Sequence, residues 1–155
     1  MTARPDPRGR VPLTLGVPEG VDEEGIHRLV HGFYDAVRQD DVIGPVFGRA
    51  IADDAWPVHL AKMCDFWSSV LLKTRRYEGR PLAPHLRLPD LSDAHFARWL
   101  GLFAETARET FDAEAAAIVV AYAERIANSF RLSRAMHAGE DTMHLRPITA
   151  PPASG

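Results

Sequence analysis

The chain predicts an all-α fold of four main helices, with one irregular stretch in the middle. Three observations carry this. Apolar residues recur with the 3.6-residue helical period over four long windows, and no window shows convincing strand alternation. Three of the four windows open on an Asp or Ser cap, whose side-chain oxygen accepts from the free N–H groups of a helix start. Prolines cluster in the middle of the chain and near both ends, where helices must stop.

The first helix spans 22–39. Asp22 is its N-cap, Glu23 and Glu24 suit the positive helix start, and Ile26, Leu29, Val30, Phe33 and Val37 share one face. The stretch "DDVIGPVFGRAI" then makes a turn and one short helix, interrupted at Gly44-Pro45. A second long helix runs over 53–73, with Pro57 in its first turn, where proline is tolerated. Its stripe is Trp56, Leu60, Met63, Phe66, Trp67, Val70 and Leu71. "GRPLAPHLRLPDLS" follows, and Pro81, Pro84 and Pro89 exclude a long helix there. Ser92 or Asp93 caps a third helix, with Phe96, Trp99, Leu100, Phe103 and Ala107 inward. Asp112 caps a fourth that runs to about residue 137, with Val119, Tyr122, Ile126 and Phe130 inward. Residues 1–20 and 138–155 are rich in Pro, Gly and small or polar residues and are expected to be flexible tails. A single domain is left at 21–137.

Composition narrows the function classes. With 155 residues, 46 % hydrophobic and 25 % charged, the chain suits one soluble domain with a sizeable core. A net charge of −3 gives no reason to expect a nucleic acid partner. The single cysteine, Cys64, excludes an internal disulfide framework and a multi-cysteine metal site. No apolar run approaches the roughly 20 residues of a membrane span, and the first residues lack the apolar stretch of a signal peptide, so a cytoplasmic protein is expected.

The chemistry-bearing candidates are histidines and aromatics. His85 sits on the short segment stiffened by prolines, as suits a metal ligand that must point one way. His59 borders the apolar face of the second helix, in line with Met63 and Trp67. Tyr34 stands at the core edge of the first helix and Trp99 mid-face on the third. Each also has an ordinary reading: His59 as half-exposed packing, Tyr34 and Trp99 as core residues. His27 and His31, at i and i+4, can chelate a metal but lack a third ligand in the sequence, which favours a solvated face. Periodicity by itself stops at a helical bundle.

Three stretches go further. "HGFYDAVRQDDVIGPVFGRAI", "AWPVHLAKMCDFWSSVLL" and "YEGRPLAPHLRLPDLSDAHFARWLGLFAET" resemble the truncated haemoglobins of group III, over about residues 22–134. The chain contains no Gly-Gly pair, in keeping with that group. The resemblance implies a shortened globin-like two-over-two helical sandwich around a haem, haem b, with His85 as the proximal iron ligand. It implies Tyr34, His59 and Trp99 as distal, ligand-stabilising residues, with Phe33, Phe47, Met63 and Trp67 lining the macrocycle. Lys62 and Tyr77 are then expected near the propionates. The function implied is binding of O₂, NO and CO in a polar distal pocket. That pocket suits NO detoxification or peroxide-dependent oxidation (NO dioxygenase or peroxidase-like activity) with an unidentified reductase, rather than oxygen transport. A monomer or weak dimer is expected, with no membrane partner. The rival readings are a haem-based gas sensor and a haem-free helical ligand-binding domain.

Overall fold

Asp22 accepts the Gly25 N–H at 2.8 Å and starts α1 (Glu23–Gln39). In this computed structural model, which describes residues 18–77, 92–140, 143 and 145–152, five α-helices and no strand are present among those residues. Asp40 ends α1 and accepts the N–H groups of Val42 and Ile43, both at 3.0 Å, so its carboxylate shapes the turn into α2 (Gly44–Ala50). Gly44-Pro45 begins α2 rather than interrupting it. Pro45 occupies the helix start, where a missing N–H costs nothing. Gly44 is required by close approach: a Cβ there would lie 3.0 Å from the Val37 carbonyl oxygen.

The second long helix predicted at 53–73 divides. A 3₁₀ turn at Asp53–Ala55 leads into α3 (Trp56–Leu72), whose α-helical geometry begins next to Pro57. It ends at Lys73, which adopts a left-handed conformation with φ 60°. Its ammonium donates to the Val70 carbonyl at 2.9 Å and to the Tyr122 hydroxyl at 3.1 Å. Ser92 caps α4 (Asp93–Thr110) in a reciprocal box with His95, and Asp112 caps α5 (Ala113–His137) by accepting the Ala115 N–H at 2.8 Å.

The apolar stripes meet as the periodicity requires. Ile26, Leu29, Val30, Phe33 and Val37 of α1, Leu71 of α3, Leu100 and Phe103 of α4 and Val119 of α5 are sealed from solvent. Each such side chain contributes roughly 1.5–3 kcal/mol on burial. α1 and α3 run antiparallel: Glu23, at the start of α1, accepts from the buried Ser68 hydroxyl at 2.7 Å, while Tyr34, near its end, meets His59.

Within the stretch expected as a C-terminal tail, Ile148 and Ala150 pack against the core. Asn128 donates to the Ile148 carbonyl and accepts its N–H, both at 2.8 Å. The buried Arg131 binds the Arg146 carbonyl at 2.8 Å and grips Asp93 with two nitrogens at 2.9 Å. Among the described residues, no helix is long and apolar enough to cross a membrane.

Candidate distal pocket

One residue step along α1 separates two roles. Phe33 points into the core and Tyr34, about 100° further round, points at α3. Phe33 meets Trp99 edge-on at 5.4 Å between ring centroids and Phe103 at 5.3 Å. Trp99 and Phe103 are four residues apart on α4, which places them on one face. Their rings stack at 5.5 Å, and Trp67 of α3 stacks on the other ring of that pair, Phe103, at 4.8 Å. An aromatic column therefore runs from α4 to α3 behind Phe33.

Tyr34 closes a second ring system. His59 lies against it at 5.0 Å, almost perpendicular at 85°, and Phe47 of α2 approaches at 6.1 Å. Trp56, three residues before His59, meets the imidazole at 5.5 Å and 90°, and the tyrosine at 5.8 Å. The result is an imidazole held between two aromatic rings, with its Nε2 sealed from solvent. Burial pushes the Tyr34 phenol far above its usual range, so the hydroxyl keeps its proton and stays a hydrogen-bond donor.

Trp99 is half-buried, and its neighbour Arg98 is anchored. The Arg98 guanidinium donates to Asp40 at 2.7 Å, tying α4 to the end of α1. That bond, with the Ile43 and Val42 N–H groups, holds the Asp40 carboxyl below its usual range against the opposing effect of burial.

The structure thus brings Phe33, Tyr34, Phe47, His59, Trp67 and Trp99 into one continuous aromatic system. Met63 is half-buried on α3, one turn beyond His59. Lys62 is exposed on α3, and Tyr77 lies beyond the helix end, edge-on to Phe66 at 5.5 Å, its N–H donating to Ser69 Oγ at 2.8 Å. His85 lies outside the described residues. Two members escaped the sequence reading as site residues: Trp56 and Phe103. The signal for Trp56 was its place one turn before His59 on the same face. The signal for Phe103 was its place one turn after Trp99. Arg38 covers the outer side of Trp56, its guanidinium 4.7 Å from the ring centroid.

Leu60, Met63, Phe66 and Val70 recur along α3 and all remain half-buried. A half-covered apolar stripe beside the buried Tyr34 hydroxyl is a surface suited to a mostly apolar ligand.

No family model matches the chain. It is 36 % identical over 115 residues to the group 3 truncated hemoglobin ctb of Campylobacter jejuni, a match covering 73 % of this chain and 91 % of that protein. In structure it is similar to the crystallised group III truncated hemoglobin of C. jejuni, with a TM-score of 0.69, 36 % identity and the same coverage of each chain.

Proposed function

From its membership of the group 3 truncated haemoglobins, the family to which this chain belongs, we propose that it is a haem b protein of the cytoplasm that binds O₂, NO and CO and carries out redox chemistry on them. The fold is all-helical and globin-like, as the family requires. The residues present fit the cofactor. The half-buried stripe of α3 offers apolar cover, and Phe33, Phe47, Met63 and Trp67 are the side chains of this region that would line the macrocycle. His85 would hold the iron through a ring nitrogen, and Lys62 and Tyr77 would meet the propionates.

When bound, the haem supplies a redox-active iron that takes diatomic ligands. The chain's own contribution is polar. The Tyr34 O–H and Trp99 N–H are donors, and each good hydrogen bond to a ligand is worth about 1–1.5 kcal/mol. Two donors favour retention over release, which suits conversion of NO, O₂ and one electron to nitrate, or oxidation by peroxide, better than transport. His59 sits against Tyr34 and serves as a third donor or as a gate. The electron comes from a reductase partner.

The observation that carries this reading is the pairing of Tyr34 with His59, two hydrogen-bonding side chains set together inside an aromatic shell. The test is direct. The purified protein is expected to be red, with a Soret band that shifts with O₂ or CO. Stopped-flow mixing of its oxygenated form with NO is expected to give ferric protein and nitrate. A colourless, fully folded protein overturns the haem reading. A red protein that yields no nitrate overturns only the NO chemistry.

A further inference from the structure

The antiparallel seam of α1 and α3 has a register. Glu23 meets Ser68 at one end and Tyr34 meets His59 at the other. Between them the seam places His27 and His31 of α1 opposite Cys64 of α3, so that one ligand atom from each lies within 4.8 Å of the other two. The tertiary fold therefore supplies the third ligand that the His27–His31 spacing lacks in sequence. We propose that His27, His31 and Cys64 form a site for a borderline-soft divalent transition metal, zinc in the first instance, outside the haem pocket.

Three further observations fit the site to that ion. Nδ1 of His31 lies 2.9 Å from the His27 carbonyl oxygen. A carbonyl only accepts, so Nδ1 carries the proton and Nε2 presents the lone pair, the arrangement by which a backbone carbonyl orients a metal-binding imidazole. The two imidazole rings stack at 3.9 Å, which brings both to one spot on α1. Nitrogen and sulfur donors select zinc over magnesium or calcium, which take oxygen. Tetrahedral zinc, with Zn–N about 2.0–2.1 Å and Zn–S about 2.3 Å, needs its ligand atoms about 3.3–3.6 Å apart. Closing from 4.8 Å takes side-chain movement of at most about 1.5 Å, and the exposed His27 has the freedom for it. Burial, joined by the negative charges of Asp65 and Glu23, raises the Cys64 thiol above its usual range. Zinc displaces that proton, and the same two carboxylates attract the dication. Three protein ligands leave the fourth position to water.

The experiment uses the haem-loaded full chain, stripped of adventitious metal and given one equivalent of Zn²⁺. X-ray absorption at the zinc edge, which is separate from that of iron, is expected to show one sulfur at about 2.3 Å beside nitrogen ligands. Competition against a chromophoric chelator is expected to show at least tenfold weaker zinc binding in each of His27→Ala, His31→Ala and Cys64→Ser. Because Cys64 is the one cysteine of the chain, its alkylation by iodoacetamide should slow with zinc and recover with chelator. A zinc shell without sulfur, or affinity unchanged in Cys64→Ser and His31→Ala, overturns the assignment. Equal protection of the thiol by Mg²⁺ overturns the choice of metal class. None of these readouts depends on what the haem does.

Discussion

Replacing Tyr34 with Phe removes one oxygen and keeps the ring. The edge contacts to Phe33 at 4.9 Å, His59 at 5.0 Å and Trp56 at 5.8 Å depend on the ring and survive. The pocket keeps its shape and loses a donor. With the ligand retained by that bond, the loss of about 1–1.5 kcal/mol speeds O₂ dissociation about tenfold. Trp99→Phe removes the indole N–H with a similar result. Tyr34 and Trp99 both touch Phe33, so the double variant reports their coupling: independent donors multiply to about a hundredfold, and a shortfall measures the shared packing. Burial raises the Tyr34 phenol, so the wild-type off-rate should stay flat past about pH 10, where an exposed phenol ionises. Stopped-flow displacement of O₂ by CO measures all four proteins. If neither single variant changes the off-rate, the polar-pocket reasoning is wrong, although the family membership stands.

His85→Ala is expected to abolish stoichiometric haem binding or remove the axial nitrogen; unchanged haem content with an unchanged ferrous spectrum refutes the ligand assignment. Asp40 titrates below its usual range in the folded protein, chiefly through its bond to Arg98, so its contribution is present above the unfolded value of about 4 and lost as pH falls through the folded one. Arg98→Met should flatten the loss of thermal stability below about pH 4, and an identical acid profile in that variant counts against the pair. Gly25→Ala improves helix propensity by about 1 kcal/mol, yet its methyl would sit 2.6 Å from Cε1 of the buried Phe111 ring. The variant is therefore expected to lower the unfolding midpoint, and a rise shows that the Phe111 ring yields at little cost.

The helices were legible because their signals are local. Asp22, Ser92 and Asp112 cap where they were expected to, and a cap reads only the next three residues. The stripe of α1 is buried as its period requires. Local signals erred where the backbone had two acceptable states. Gly44-Pro45 reads as a break or as a helix start, and the close approach of α2 to the Val37 carbonyl decides for the start. Pro57 permits a helix from residue 53, and the chain takes a 3₁₀ turn before it. Ile148 lies in a Pro-rich stretch with no periodicity, so nothing in the sequence announced the bonds that Asn128 makes to it.

By itself the sequence determined the helical class, the caps of α1, α4 and α5, the buried stripe of α1 and the family, because each depends on neighbours within a turn or on whole motifs. Only the tertiary structure decided which side chains meet across the α1–α3 seam: Tyr34 with His59, and His27 and His31 with Cys64. A helical period states which face a residue occupies. The depth to which an antiparallel partner slides along that face is set by the packing of both helices against the rest of the core, and a shift of one turn would pair different residues.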